Sequence, residues 1–465
     1  MRPAILLVLL ALVAVPTARA GGPGLLIGAT EDATKAKTIG DAKAQLDLLV
    51  AAGFTANRIT FEWAPGLTEI TDTGKQVLQS TAAAAKLDGV SLICVITNHG
   101  SATTPLTAED QADFASYAAS VAEAVAGIRT FVVGNEPNLN RYWLPQYNVD
   151  GSDAAAPAYS ALLAQTHDAL KAVSPDVTVL GGALAPRGGD VPSTIRPTHS
   201  PTVFIHDMGQ WMRDNNRTTP IMDGFDMHPY EDNSSIAPIA GTHPNSTTIA
   251  LADYDKLVAS LGEAFGDYSM PIWYDEFGVE TQIPADWEQN YTGTEPTTIH
   301  PVDEATQAAY YRQAIQLAFC QPNVRGLMLF HTVDESDHAA WQSGLYYADS
   351  TTAKASLAPT RLAMQQSRRG VVAQCPGLEL PVTPRVKQTA DQLTLTCALD
   401  CSFVAQLYRG TKLVRGVRGR AIGAQPKLLS LRVPTTEGSY RLRISGVNPV
   451  NPAPAVQRWV RLRRG

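Results

Sequence analysis

The chain has 465 residues, of which 45% are hydrophobic and 17% are charged. This composition is typical of a folded protein and excludes an intrinsically disordered one, which would have few apolar residues and a high net charge. The formal net charge is −7. The length exceeds one small domain and favours a large domain with an accessory module.

The first twenty residues have the pattern of a secretory signal peptide. Arg2 gives a positive start, Ile5–Val15 is an apolar run too short to span a bilayer, and Ala18-Arg19-Ala20 matches a cleavage site. We expect cleavage near Ala20 and a secreted, extracellular protein. No later segment is apolar for long enough to predict a membrane span.

Apolar runs alternate with helical patterns from Gly24 to about Gly370. The predicted strands are Leu25–Thr30, Thr55–Phe61, Val90–Thr97, Thr130–Gly134, Val177–Gly181, Gly224–His228, Ile272–Glu276 and Gly326–His331. The predicted helices are Ala42–Ala52, Ala108–Ala126, Ala158–Val173, Tyr254–Phe265 and Asp303–Phe319. Eight strands separated by helices predict a parallel sheet closed into a (β/α)8 TIM barrel. An open doubly wound sheet is the alternative, but no Gly-rich phosphate-binding motif follows the first strand.

The tail after Pro376 has a different character. Its predicted strands are Gln392–Cys397, Phe403–Tyr408, Lys427–Val433 and Ser439–Ile444, separated by turn residues. Period-two alternation in this region predicts a small all-β sandwich. We therefore expect a barrel over residues 21–375 and a β-sandwich accessory domain over residues 376–465.

Charge is divided unevenly between these two regions. Residues 376–465 carry 15 Lys or Arg and 4 Asp or Glu, whereas the rest carries 22 and 40. The basic module suits contact with an acidic glycan or a cell surface. A solvated basic face, or docking onto the acidic barrel, is an equally good interpretation. No nucleic-acid partner is expected, and the oligomeric state stays open.

The five cysteines suit an oxidising compartment. We predict one disulfide between Cys397 and Cys401 and another between Cys320 and Cys375. Cys94 lies in an apolar run and is predicted to be a buried free thiol. A metal pair at Cys397 and Cys401 is the alternative, but no second Cys or His pair accompanies them.

Two carboxylates lie at the ends of predicted strands. Glu136 follows the fourth strand in Gly134-Asn135-Glu136-Pro137, and Glu276 ends the seventh in Tyr274-Asp275-Glu276-Phe277. Active-site residues of such barrels lie at the C-terminal strand ends. A facing carboxylate pair is what cleavage of a glycosidic bond with retention requires. The alternatives are a helix-initiating Glu at 136 and a structural ion pair at 276. Strand alternation points Asp275 away from Glu276.

Asn135-Glu136-Pro137 resembles the strand-four signature of glycoside hydrolase clan A, and Glu276-Phe277-Gly278 resembles its strand-seven end. Families 5 and 39 of the clan are closest in motif style. The resemblance covers the barrel and leaves out the tail. It implies that Glu136 is the acid/base, that Glu276 is the nucleophile and that Asn135 binds the sugar 2-hydroxyl.

Three further residues fit this resemblance. Arg58 on strand two is expected beneath the nucleophile, where its charge keeps that carboxylate ionised. His228 and Tyr230 end strand six. Tyr230 is expected to hydrogen-bond Glu276, and His228 to contact the sugar or tune the acid/base. A structural ion pair for Arg58 and a structural role for His228 are the alternatives.

The remaining candidates are expected to line the sugar cleft. Asn98 and His99 close strand three. Aromatic platforms are expected because sugar rings present apolar C–H faces; the three chosen are Trp63, Trp143 and Trp341. Strand eight departs from the clan, since many members carry a Trp where this chain has Phe330 and His331.

The sequence thus predicts a secreted retaining O-glycoside hydrolase acting on a plant or microbial poly- or oligosaccharide. A non-catalytic carbohydrate-binding barrel and a transglycosylase with the same two Glu are the alternatives. No cofactor and no metal site are expected, because the nine His residues are scattered. Sugar specificity and endo or exo action stay open.

Overall fold

The computed structural model describes residues 21–192, 194–435 and 438–463, so the predicted signal peptide lies outside the described residues. Eight parallel strands close into a barrel in chain order, β1 to β8, with β1 also pairing with β8. The strands are Leu26–Thr30, Ala56–Trp63, Ser91–Asn98, Thr130–Val133, Thr178–Leu184, Gly224–Met227, Ile272–Phe277 and Val324–Leu329. All eight predicted strands are present, and the closed barrel is confirmed.

Eight helices surround the barrel within the described ranges. They are α1 to α8, at Ile39–Ala52, Asp72–Asp88, Ala108–Ala124, Ala155–Val173, Pro201–Asp214, Tyr254–Phe265, Glu304–Cys320 and Leu357–Arg368. The sequence predicted five of them. Local signals fix their ends: Thr107 and Asp110 form a capping box at the start of α3, and α2 ends at Gly89 with a φ of 66°.

Apolar side chains form two layers of the barrel core. The larger cluster fills the space between strands and helices. A smaller one fills the barrel interior and contains Ile93, Val95, Val132, Leu180 and Met328. The interior is therefore a packed core, and polar side chains can gather only above it, at the C-terminal strand ends.

The tail forms an antiparallel β-sandwich, as predicted. Its strands β9 to β15 are Arg385–Thr389, Gln392–Thr396, Cys401–Arg409, Lys412–Ala421, Lys427–Arg432, Tyr440–Val447 and Arg458–Arg461. One sheet has the order β13-β10-β9 and the other β12-β11-β14-β15. Their inner faces share one apolar core, to which Leu395, Phe403, Leu431 and Ile444 belong.

Both predicted disulfides are present. Cys320 at the end of α7 is bonded to Cys375, and Cys397 is bonded to Cys401. The metal alternative for Cys397 and Cys401 is therefore wrong. Cys94 is free and buried, as predicted. Among the described residues, no helix is long and apolar enough to cross a membrane.

Candidate active site

A cleft of about 550 Å³ opens at the C-terminal ends of the strands. Its lining includes Glu136, Tyr142, Tyr230, Glu276, Phe330 and Trp341. A larger cavity of about 750 Å³ lies at the opposite end of the barrel, near the starts of β1, β3 and β4. No carboxylate lines that second cavity, so the acid–base chemistry belongs to the first one.

Glu136 and Glu276 face each other in the cleft. One oxygen of each lies within 4.8 Å of the other and of a ring nitrogen of His228. His228 Nδ1 is 3.1 Å from Glu136 Oε1 and 3.5 Å from Glu276 Oε2. The backbone of Glu136 has a φ of 43°, and its N–H donates to the carbonyl of Ala183 at 2.8 Å. This unusual backbone conformation directs the side chain at Glu276.

Glu276 is held from two sides. Arg58 Nη2 lies 3.1 Å from its Oε1, and the Tyr230 hydroxyl donates to its Oε2 at 3.1 Å. The same Arg58 Nη2 donates to Asn135 Oδ1 at 3.1 Å. Burial raises the pKa of Glu276, while the charges of His228 and Arg58 act to lower it. The predicted contacts of Arg58 and Tyr230 with Glu276 are thus both present.

Asp275 lies beneath this pair, fully buried. Arg58 Nε donates to its Oδ2 at 3.1 Å, and His228 Nε2 lies 2.8 Å from its Oδ1. Burial alone would raise the pKa of Asp275, but Arg58 and His228 outweigh it and hold that pKa well below its usual range. Asp275 is therefore an anion that forms ion pairs with Arg58 and His228.

Asp226 on β6 is buried beside Asp275, and its pKa shifts in the opposite direction. Its Oδ1 accepts hydrogen bonds from the backbone N–H groups of Met227 at 2.9 Å and Asp275 at 3.3 Å. Burial and the neighbouring Asp275 raise the pKa of Asp226 well above its ordinary value. The site therefore favours the neutral form of Asp226, because a second negative charge next to Asp275 would be unfavourable in a buried position.

His228 is the centre of this arrangement. Burial alone would lower its pKa, but Glu276, Asp275 and Glu136 together raise it well above the ordinary value. The two groups of three that could surround an ion, Glu136–His228–Glu276 and Asp226–His228–Asp275, share this ring. Each ring nitrogen faces a carboxylate, Nδ1 that of Glu136 and Nε2 that of Asp275.

Aromatic side chains form one wall of the cleft. Trp341 packs on Tyr230 with ring centres 4.9 Å apart and on Phe330 at 5.2 Å. Phe330 follows β8, at the position where the sequence predicted a replacement for the missing Trp. All three are partly exposed toward the cleft.

Two of the three predicted aromatic platforms are wrong. Trp63 is fully buried, its indole N–H bonds the carbonyl of Leu67 at 2.7 Å, and its ring packs on Phe114. Trp143 is 1% exposed and packs edge-on against Tyr159. Both tryptophans pack the loops from below because their large apolar area is better buried than left in water.

Three other candidates lie at the rim or beneath it. The buried Asn98 side chain donates to the carbonyls of Gly100 and Tyr142, so it supports the loop that carries Tyr142. His99 is exposed, pairs with Glu62 at 2.6 Å and is not part of the cleft lining. His331 Nδ1 is 2.6 Å from the carbonyl of Thr30, and its ring stacks behind Phe330.

Sequence reasoning missed Asp226 and Asp275. Alternation does place the side chains of Asp275 and Glu276 on opposite sides of β7, yet both reach Arg58. A signal for Asp226 was present, because it lies two residues before His228 and so shares its side of the strand. A carboxylate inside an apolar strand needs a buried partner, and that requirement could have linked it to Arg58 and His228.

Comparison with protein-family models gives no match, and comparison with curated protein sequences gives none either. Solved structures do match. A family 39 glycoside hydrolase from Bacteroides cellulosilyticus has a TM-score of 0.50 at 15% identity, over 88% of this chain and 81% of that one. GH5_18 from Streptomyces cattleya, in complex with GlcNAc, has a TM-score of 0.50 at 16% identity, over 75% and 81%. A glucosidase from Croceicoccus marinus has a TM-score of 0.50 at 12% identity, over 92% and 96%. This chain therefore has the same (β/α)8-barrel fold as these glycoside hydrolases.

Proposed function

We propose that the protein is a retaining O-glycoside hydrolase. The observation that carries the proposal is the approach of Glu136 and Glu276 to within 4.8 Å across the cleft. Retaining glycosidases keep their two carboxyl groups about 5–5.5 Å apart, whereas inverting ones leave about 6.5–9.5 Å for a water molecule. The short separation favours direct attack by one carboxylate on the sugar.

Glu276 is the proposed nucleophile and Glu136 the proposed acid/base. Glu276 attacks the anomeric carbon while Glu136 protonates the departing oxygen. Water, deprotonated by Glu136, then releases the sugar from Glu276. Arg58 and Tyr230 hold Glu276 in position and favour its ionised form, and Asn135 is proposed to meet the sugar 2-hydroxyl.

The proposed substrate is a poly- or oligosaccharide, and the protein is proposed to act outside the cell after cleavage near Ala20. The cleft volume of about 550 Å³ exceeds that needed for one sugar ring. Trp341, Phe330 and Tyr230 offer the apolar wall against which a sugar ring stacks.

Two replacements test these roles. Glu276→Ala should abolish hydrolysis of aryl glycosides, and azide should restore turnover with a product of inverted configuration. Glu136→Ala should spare substrates whose leaving group needs no proton. Glu62→Gln, an exposed carboxylate outside the cleft, is the matched control and should keep normal rates.

The outcomes separate the alternatives. Near-normal rates in both the Glu276 and Glu136 variants would refute the proposed site. Tight glycan binding by the native chain with no turnover on any glycoside would favour a carbohydrate-binding barrel. Products longer than the substrate would identify a transglycosylase that uses the same two residues.

We also propose that residues 21–375 and 376–465 are separate domains. The apolar cluster of the barrel extends to Leu380, and that of the sandwich begins at Val382. Limited proteolysis of the native chain should cut first in the exposed stretch from Pro376 to Glu379, which precedes the buried Leu380. Early cuts within the barrel loops, with this stretch intact, would contradict the division.

A further inference from the structure

The outer face of the four-stranded sheet is exposed and strongly basic. Side chains alternate along β11, so that Phe403, Ala405 and Leu407 enter the core while Val404 is 45% exposed on the other side. Strand register extends this outer face to all four strands. Val404 lies opposite Arg418 of β12 on one side and opposite Ser445 of β14 on the other.

Five arginines occupy this face. They are Arg418 and Arg420 on β12, Arg441 and Arg443 on β14, and Arg461 on β15. None of these five forms an ion pair with any residue in the described parts of the chain. The described acidic residues nearby are already engaged, since Asp400 pairs with Arg369 at 2.6 Å and Asp391 with Arg432 at 2.9 Å. The positive charge of this face is consequently open to an external anion.

An exposed tryptophan lies among these arginines. Trp459 on the edge strand β15 is 50% exposed and lies directly opposite Arg443. The Arg441 guanidinium lies 4.9 Å from its ring centre, and Tyr408 packs beside it at 5.2 Å. The Arg441 guanidinium thus covers part of the ring, and about half of the Trp459 surface stays exposed. A sugar ring can stack on such a surface while its charged substituent meets an arginine.

The module joins the barrel at the end opposite to the cleft. The module follows α8, whose C-terminal end lies at the barrel face opposite to the cleft, because the helices run antiparallel to the strands. It is joined there by the Arg369–Asp400 ion pair and by Asn451, whose side chain bonds Cys375 N–H and the carbonyl of Ala373. These contacts come from the loops before β11 and after β14, whereas Arg418, Arg441 and Arg461 stay exposed.

We propose that this face, defined by the five arginines and Trp459 and called here the basic face, binds an acidic polysaccharide. Guanidinium groups match carboxylate and sulfate oxygens in a two-pronged geometry, and the open sheet admits a long chain in any register. The choice of a polysaccharide over nucleic acid or lipid rests on Trp459 and on the proposed glycoside hydrolase function. The face would then hold the enzyme on its polymer while the cleft stays free.

Affinity electrophoresis of the full chain through gels containing polygalacturonate tests the proposal. Binding is compared in a Glu276→Ala background, so that the polymer is not consumed. The test variant carries Arg441→Ser, Arg443→Ser and Arg461→Ser. The matched control carries Arg385→Ser, Lys387→Ser and Lys427→Ser, which removes the same charge from the opposite sheet.

We expect polygalacturonate to retard the parent chain and methyl-esterified pectin to leave its mobility unchanged. The test variant should lose affinity by about tenfold or more, since three charge-assisted contacts are removed. Trp459→Ala should also weaken binding, and the control should stay within about twofold. Added salt should weaken binding because it screens exposed charges.

Three results would overturn the proposal. They are no retardation of the parent chain, equal losses in the test and control variants, and tighter binding of duplex DNA or phosphatidylglycerol vesicles than of polygalacturonate. Aryl glycoside turnover, measured with native Glu276, should be equal in the test variant and the parent. A chain that binds without turnover contradicts only the proposed hydrolase, and one that turns over without binding contradicts only the basic face.

Discussion

Replacement of Asp275 by Asn removes one buried charge with almost no change in volume. The native carboxylate lies 3.1 Å from Arg58 Nε and 2.8 Å from His228 Nε2, with no exposure to solvent. Without it, two buried cations face each other across a neutral amide. No solvent reaches these two charges to stabilise them. The folded state therefore becomes less stable, or His228 loses its proton.

The expected loss of stability is large. Removing one partner of a buried ion pair costs about 3–5 kcal/mol, and the remaining Asn carbonyl, which can still accept from Arg58, places the loss at the lower end, about 3 kcal/mol. A barrel of about 350 residues has an unfolding entropy of about 0.7 kcal/mol/K, which converts this loss into a fall in Tm of about 4 °C.

Asp226→Asn provides a matched control one strand away. Burial and the neighbouring Asp275 raise the pKa of Asp226, so the amide replaces a group whose uncharged form the fold favours and which has the same shape. Asn Oδ1 can accept the same backbone hydrogen bonds from Met227 and Asp275. We expect a loss below about 1 kcal/mol, since no charge is left unpaired.

Thermal unfolding followed by circular dichroism at pH 7 distinguishes the two variants. We expect Asp275→Asn to melt several degrees below Asp226→Asn. A lower melting temperature for Asp226→Asn would mean that the charge resides on Asp226 instead, and equal melting temperatures would contradict a charge on Asp275 alone. A loss below about 1 kcal/mol for Asp275→Asn would refute the charge-locked arrangement altogether.

Three further predictions follow from the cleft. Because Arg58 lowers the pKa of Glu276, Arg58→Gln should move the acidic limb of the kcat/KM–pH profile to higher pH, and an unmoved limb would exclude this role. Burial raises the pKa of Glu231 to about 9, so the folded state keeps a proton that the unfolded state releases, and native stability should fall as pH rises from 5 to 8. In thermal unfolding, the native chain should lose up to about 1.4 kcal/mol more stability per pH unit than Glu231→Gln loses. The same pH dependence in both proteins would contradict this prediction. Trp341→Ala should raise KM by about three- to tenfold with a smaller change in kcat, from the lost stacking contact, and a change in kcat alone would contradict a binding role.

The barrel was predictable from sequence because its strands are continuous apolar runs. Val90–Thr97 and Gly326–His331 contain such runs because both faces of a parallel strand are buried. Three helices were missed, and the sequence gives a reason for two of them. The helix Asp72–Asp88 buries mainly small residues, among them Ala84 and Ala85, and Leu357–Arg368 has Pro359 in its first turn.

The missed strands of the sandwich are exposed ones. Lys412–Ala421 carries arginines and glycines on an edge, with most of its side chains in solvent. Period-two patterning depends on one buried face, and an edge strand of this kind scarcely shows it. Because its side chains are exposed, β12 was not predicted from the sequence. The same exposure leaves the arginines of the basic face in contact with solvent.

The candidate site was predicted where strand ends and motifs coincide. Glu136, Glu276, Arg58 and Tyr230 lie together as expected from their strand positions. Sequence could not rank the tryptophans, because a loop Trp packs inward or outward according to neighbours that no local pattern specifies. Trp143, for example, finds Tyr159 on a helix that begins more than ten residues later.

The Cys320–Cys375 disulfide determines how force travels through the molecule. A pull on the module, as from a polymer dragged by flow, enters the barrel at Cys375. The sulfur bridge carries that tension directly to the end of α7 and bypasses α8, which lies between the two cysteines in sequence. Because β8 and α8 both lie within the loop that this bond closes, a pull at Cys375 does not run through their backbone.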